Sequence, residues 1–442
     1  MQPLGISLDA ASLLIPVGVM QGDHIGLVIL YQCHHADARG GHLHGAPQNR
    51  IQEAIGVCLP VELQADVVQD GQEQEPESIY PEYGNTIAPD ETGMSNNAVE
   101  LAAKFTLGWN IGNTLEAIGS ENAWGNPNIS KEYVEAVKSK GFNAIRLPCA
   151  WDQYSDQATA EIEQAWMDRV KEVVQYCVDN DMYVLLNIHW DGGWLENNCT
   201  PEKKDLVNAR QRAFWQQIAT EMRDFDEHLM FASANEPHVE NAVQMEVLNS
   251  YHQTFVNTVR ATGGRNSYRV LVVQGPSTDV EKTNDLMNSL PTDEIADRMM
   301  AEIHYYTPYQ FCLMNEDADW GKMFYYWGAG HHSDIEPDRN ATFGEEDDVN
   351  NLFGLMKTKF VDNGIPVILG EYGAYRRGNS DNVPADLETH NDAVDHWITY
   401  VTKQAIASGC KPFFWDTGGA LDRANYTVKD QRTIDALVAG GE

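Results

Sequence analysis

Short apolar runs alternate with longer stretches of helical periodicity from Met94 onward. After an amphipathic segment, Ser95 to Lys104, the apolar runs are Phe105 to Ile111, Asn143 to Pro148, Met182 to Ile188, Leu229 to Asn235, Val270 to Gln274, Met299 to His304, Pro366 to Glu371 and Pro412 to Asp416. Each is four to eight residues long and nearly continuous in Val, Ile, Leu, Met and Phe, the pattern of a parallel strand buried on both faces. Between them lie helical patterns such as Glu161 to Asn180, Lys203 to Phe225, Asn241 to Thr262, Val349 to Asp362 and Asn391 to Ser408. Eight strand–helix units in about 350 residues, with no glycine fingerprint for a dinucleotide, predict a closed (β/α)8 TIM barrel over residues 94–442. The aromatic-rich stretch Tyr305 to Asn350 is expected to fold over the mouth of that barrel.

Residues 1–93 read differently and are expected to form a poorly defined N-terminal segment ending in a linker. They contain no lysine, five of the 14 histidines fall between His24 and His44, and Gln69 to Asp90 is acidic and poor in branched apolar residues. Cys33, His34, His35, His42 and His44 match no specific ligand spacing, and a solvated polar loop is the simpler reading. The apolar runs Leu13 to Met20 and Ile25 to Tyr31 lack the basic start of a secretory signal. No apolar run reaches the roughly 18–20 residues that span a bilayer.

Charge narrows the partners. With 30 Lys+Arg against 66 Asp+Glu the formal net charge is -36, a field that repels phosphate backbones and anionic membranes and suits a neutral substrate. Seven cysteines without close pairs argue against a disulfide framework or a thiolate zinc site.

Polar and aromatic groups collect where the strands end, the catalytic face of such a barrel. Strand one ends in Asn110, Asn113 and Glu116 (GWNIGNTLEA), strand two in Arg146 (IRLP), and strand three in His189, Trp190 and Asp191 (NIHWDGGW). Strand four ends in Asn235-Glu236-Pro237, strand six in His304 and Tyr306 (HYYTPYQF), strand seven in Glu371 (GEYG), and strand eight in Trp415 and Asp416 (FFWD). Singly each has a structural explanation; structural accidents would scatter over both faces of the barrel. Two carboxylates, Glu236 and Glu371, are the minimum equipment for cleaving a glycosidic bond.

The strings GWNIGNTLE, IRLP, NEP, HYYTPYQF, GEYG and FFWD, in this order and spacing, resemble glycoside hydrolase family 5 (clan A), and particularly its bacterial endo-β-1,4-glucanases. The resemblance covers about Met94 to Glu442. It implies a retaining double displacement with Glu371 as nucleophile and Glu236 as acid/base. It further implies that Asn235 meets the sugar 2-hydroxyl, that Trp415 lies under the cleaved sugar, and that Asn113, Glu116, Arg146, His189, His304 and Tyr306 support or bind substrate. Many members carry two adjacent histidines after strand three, whereas here Trp190 follows His189, so the Asp191–Trp194 stretch is expected to form a different wall.

The expected function is therefore hydrolysis of internal β-1,4-glucosidic bonds of a glucan, without metal or other cofactor, by a monomer that contacts neither nucleic acid nor membrane. Mannan, xyloglucan and mixed-linkage β-glucan are alternatives under the same chemistry. A polymeric substrate implies an extracellular or cell-surface site of action. From another class, a metal-dependent hydrolase barrel would use His189, His304 and Asp416, though without a specific ligand spacing. A sugar-binding protein that has lost catalysis is a third reading, against which both glutamates and Arg146 stand.

Overall fold

The computed structural model describes residues 79–379 and 382–442. The apolar runs form eight strands: β1 (Gly108–Ile111), β2 (Ala144–Leu147), β3 (Tyr183–Asn187), β4 (Leu229–Ala232), β5 (Leu271–Gln274), β6 (Met299–Tyr305), β7 (Val367–Tyr372) and β8 (Cys410–Asp416). All pair in parallel in chain order, and β8 closes on β1 with Trp415 opposite Asn110. A helix follows each strand, so the predicted (β/α)8 barrel is the observed one. The helices Lys131–Ser139, Val280–Leu286 and Gln431–Gly441 were not read from the sequence. The first two are short, and an amphipathic stripe is weakly defined over two turns.

Alternation along the strands builds two cores. Leu185, Met230, Val272, Met300, Ile368 and Phe413 fill the barrel interior, joined by Leu101 and Phe105 from the segment that precedes β1. Phe105 packs on Phe413 and on Tyr183, the first residue of β3, and so closes the N-terminal end. Trp109, Ile145, Val184, Phe231, Val273, Ile303 and Leu369 point the other way and pack under the helices. Toward the C-terminal ends the interior turns polar, with Asn110, Arg146, Asn187, Gln274 and Glu302 all fully buried. An apolar floor thus carries a polar layer, and the cleft opens above it.

One irregularity matters for the site. Between β6 and β7 the register runs Ile303 with Leu369 and then His304 with Glu371, leaving Gly370 as an extra residue. Val367, Leu369 and Tyr372 all face the helices, so strict alternation would turn Glu371 outward with Leu369. The bulge at Gly370 breaks the alternation and returns Glu371 to the interior. Only glycine fits there, because a Cβ would lie 2.0 Å from Glu302 Oε1.

Of the N-terminal segment, residues 1–78, including the Cys/His run, lie outside the described residues. Residues 79–93 pack on the barrel. Tyr80 is buried and its hydroxyl accepts from Arg210 Nε at 3.2 Å. Tyr83 donates from its hydroxyl to Thr159 O at 2.8 Å, and Ile87–Pro89 pairs in parallel with Gly263–Gly264. The stretch 305–350 carries its own small cluster of Met314, Met323, Tyr325 and Tyr326, and is tied to the loop after β7 by Tyr375 N donating to Cys312 O at 3.0 Å. The five cysteines among the described residues are buried and free, and no helix there is long and apolar enough to cross a membrane.

Candidate active site

Arg146 is the hub of the polar layer. Its guanidinium is wholly buried; Nη1 donates to Glu371 Oε1 at 2.8 Å and to Asn110 Oδ1 at 3.1 Å, while Nη2 donates to Asn235 Oδ1 at 2.8 Å. Nε stands 2.8 Å from Glu302 Oε1. Asn110 is itself held by its amide, which donates to Gly370 O at 2.7 Å and Phe413 O at 3.0 Å. Burying a guanidinium is tolerable only with such compensation.

Glu371 receives a second donor, the Tyr306 hydroxyl, on Oε2 at 3.0 Å. Glu236 projects from the end of β4 and is more open, with 45% of its side chain exposed against 8% for Glu371. His304 bridges the two: Nδ1 lies 2.6 Å from Glu236 Oε1 and 3.7 Å from Glu371 Oε2. Carboxylate oxygens of Glu236 and Glu371 approach within 4.8 Å. Carboxyl groups about 5–5.5 Å apart suit a retaining pair and about 6.5–9.5 Å an inverting one, and an approach within 4.8 Å fits the shorter range.

The groups titrate as a unit. Burial works against a charge on His304, but Glu371, Glu236 and Glu302 outweigh it and push its pKa up to about 9. Burial raises Glu236 as well, yet the His304 hydrogen bond prevails and holds it below the usual carboxylate range. Glu371 is raised by burial, against the pull of His304 and Arg146 and with the neighbouring Glu236 charge adding to the rise. His189 is kept neutral, first by burial and then by the positive charges of Arg146 and His304.

His189 and Trp415 form one wall, their rings parallel within 6° and 5.9 Å apart. Trp415 lies close over Gly112, where a Cβ would come 2.7 Å from the indole. Trp190 stands at the lip, 45% exposed. The next residues turn through left-handed glycines, Gly192 (φ 76°) and Gly193 (φ 73°). Asp191 is buried and accepts from Trp151 N at 2.6 Å and from Asp152 N, so it fastens the loop after β2.

The structure thus brings Arg146, Asn235, Glu236, His304, Tyr306 and Glu371 together, with His189 and Trp415 beside them. Asn113 and Glu116 lie in the turn after β1 and help to hold it. Asn113 adopts φ 57° in the turn after β1, and the buried Glu116 carboxylate accepts from Asn113 N and, at 2.9 Å, from Thr114 N. Burial pushes Glu116 up to about 7. Its carboxylate holds the turn. Asn113 is partly exposed, and its carbonyl accepts from Asn126 Nδ2 at 3.0 Å.

The ligand set of a metal-dependent hydrolase does not assemble. Asp416 accepts from Gly418 N at 3.0 Å and Ala420 N at 2.9 Å, fastening its own loop. The grouping with metal-like spacing among the described residues is Glu236, His304 and Glu371. Within it Arg146 donates to Glu371, and His304 Nδ1 is engaged by Glu236 at 2.6 Å. Sequence reasoning missed Glu302, Gln274 and the Gly370 bulge. The legible signal was Glu302 itself, an acid in the middle of an apolar strand, a residue type rarely buried without a partner.

Comparison with known proteins agrees with this geometry. Residues 110–420 match the family model described as cellulase (glycosyl hydrolase family 5). A xyloglucan-specific endo-β-1,4-glucanase of Bacteroides ovatus is 37% identical over 388 residues, covering 82% of this chain and 75% of that protein. A solved structure of a Bacteroides ovatus GH5 xyloglucanase with a XXXG heptasaccharide superposes with TM-score 0.75 at 36% identity, over 82% of this chain and 80% of the other. A GH5 xyloglucan-specific β-1,4-glucanase from a ruminal metagenomic library, solved with XXLG, gives TM-score 0.71 at 39% identity, over 78% and 96%. With the barrel, the paired carboxylates and these similarities in agreement, the chain belongs to glycosyl hydrolase family 5 and is an endo-glucanase of that family.

Proposed function

We propose that the protein is a retaining endo-β-1,4-glucanase that cleaves the backbone of xyloglucan, with Glu371 as nucleophile and Glu236 as acid/base. The observation that carries the chemistry is the approach of the two carboxylates within 4.8 Å beside Arg146. The xyloglucan preference, an alternative in the sequence reading to unsubstituted glucan, is supported by relatives of 36–39% identity named for that substrate.

A sugar ring placed on the Trp415 face strips water from the half-exposed Glu236 and pushes its proton affinity up, since burial disfavours the charged form. The charge then rests on Glu371, where Arg146 and Tyr306 donate. Glu371 attacks the anomeric carbon while Glu236 protonates the departing oxygen; Glu236 then takes a proton from the water that releases the glycosyl-enzyme. Asn235 gives its Oδ1 to Arg146, which leaves its NH2 group to donate to the sugar 2-hydroxyl, a bond that can strengthen in the transition state. Trp190, exposed where many family members carry a second histidine, is assigned to the wall that tells a decorated backbone from a bare one. We infer from the polymeric nature of the substrate that the enzyme acts outside the cytoplasm.

Reducing-sugar release from xyloglucan, carboxymethyl-cellulose, barley β-glucan, glucomannan and galactomannan tests the substrate. The highest kcat/KM is expected on xyloglucan, with Trp190→Ala narrowing the gap. Equal or higher kcat/KM on an undecorated glucan overturns the preference while leaving the chemistry in place.

A further inference from the structure

Glu302 is the one carboxylate of the polar layer without a part in the double displacement. It is wholly buried on β6, two residues before His304. Its Oε1 lies 3.3 Å from His304 Nε2 and 2.8 Å from Arg146 Nε, and its Oε2 accepts from Gln274 Nε2 at 2.6 Å. Gln274 is fixed in turn, its Oε1 accepting from Ala234 N at 2.8 Å. The other face of the same imidazole meets Glu236 Oε1 at 2.6 Å. A chain Glu302–His304–Glu236 therefore runs from the barrel interior to the cleft.

We propose that Glu302 is a positioning residue for the acid/base step: by accepting the Nε2 proton of His304, it leaves Nδ1 as the atom that exchanges a proton with Glu236. The inference rests on the assignment of Glu236 as acid/base. An ionised carboxylate accepts only, so the ring nitrogen facing Glu302 carries its hydrogen in either charge state. The proton shared across the Nδ1–Oε1 contact makes Glu236 a neutral acid when it rests on Oε1, leaving a neutral imidazole. Glu236 passes it to the departing oxygen as the C1–O bond breaks and the C1–Glu371 bond forms. The attacking water returns a proton to Glu236 as the C1–Glu371 bond is cleaved.

The other charged groups facing His304 are Glu371 from β7, with Oε2 3.7 Å from Nδ1, and Arg146 from β2, with Nη2 3.5 Å from Nε2. From β3 the neutral His189 stands near. Arg146 Nη2 is a donor only. Glu302→Gln removes the negative charge, and its one amide oxygen can serve the Arg146 Nε and His304 Nε2 side or the Gln274 Nε2 side but not both. The Nε2 proton of His304 then lacks an ionised acceptor, so the imidazole's second proton is held less tightly and is lost from the Nδ1–Glu236 pair at lower pH.

The test is kcat/KM of Glu302→Gln on the polysaccharide the enzyme prefers and on 2,4-dinitrophenyl β-cellobioside, whose leaving group departs without acid assistance. General acid catalysis contributes about 10²–10⁴-fold, so the polysaccharide rate is expected to fall by about 100-fold or more and the aryl glycoside rate by less than about tenfold. The alkaline limb of the polysaccharide pH profile is expected to move to lower pH. Glu302→Asp, which keeps the acceptor, is expected to recover part of the polysaccharide rate alone. Parallel loss on both substrates in folded protein, or no loss on either, overturns the proposal. If Glu302→Gln does not fold, Glu302→Asp decides: a fall in the same proportion on both substrates overturns it. Glu236→Ala separates the two readings. Selective loss there, with none in Glu302→Gln, sinks only the role of Glu302, whereas an unaffected Glu236→Ala sinks the acid/base assignment itself.

Discussion

The carboxylate at the end of β7 reaches the cleft because a single glycine breaks the strand's alternation. Under strict alternation through Gly370, Glu371 would share the outward face of Leu369. The identity of Glu371 was legible from its place at the end of an apolar run, but its direction was not, since a bulge has no periodicity to read. Asn235, Glu236, Arg146, His304, Tyr306 and Trp415 were legible for the complementary reason: each ends a strand, and strand ends converge. That Glu116 also caps backbone amides was not legible, because a carboxylate that does so and one that binds a hydroxyl look the same in sequence. Substituting Gly370→Ala would drive a Cβ against Glu302 Oε1. Overpacking of this kind costs roughly 1–3 kcal/mol, and here it also displaces a partner of Arg146 and His304. A lowered melting temperature with a disproportionate loss of kcat is expected; unchanged kcat in Gly370→Ala would show that the bulge does not set the position of Glu371.

Among the elements, the barrel strands were more legible than the loops that dress them. All eight runs end within about three residues of the observed strands because continuous apolarity marks a strand buried on both faces. The stretch 305–350 has no such rhythm, and its order comes from long-range ties. One of these is His390, wholly buried, whose Nδ1 donates to Tyr325 O at 2.7 Å while Nε2 accepts from Arg377 N at 2.9 Å. A second proton would set Nε2–H against that amide, and burial already lowers the pKa to about 4. The unfolded histidine, at about 6.5, takes up its proton first. Stability is therefore lost as pH falls from about 6.5 toward 4, by on the order of 3 kcal/mol if the full shift is expressed. Thermal melts across this range should fall less steeply for His390→Gln than for the parent. Identical slopes would remove His390 from the acid response.

For the molecule as a whole, the change of composition near residue 93 does not coincide with the edge of packing. Residues 79–93 look like linker because they are polar and contain Pro and Gly, yet Tyr80, Tyr83 and Ile87–Pro89 are held by hydrogen bonds to the helix Lys204–Met222, to Thr159 and to Gly263–Gly264. Backbone pairing and two aromatic anchors leave little trace in a hydrophobic pattern. A chain beginning at residue 94 should melt several degrees below one beginning at residue 79. Equal melting temperatures for the two truncations would show that the segment adds nothing.

In the proposed mechanism a covalent glycosyl-enzyme forms on Glu371. The most direct test is to incubate the protein with 2,4-dinitrophenyl 2-deoxy-2-fluoro-β-cellobioside, digest it, and locate the added mass. The fluorine slows both steps and the good leaving group restores the first, so the intermediate accumulates. Stoichiometric inactivation and one labelled peptide carrying the sugar on Glu371 are expected. Label on Glu236, or rapid turnover with no label on any carboxylate, would contradict it.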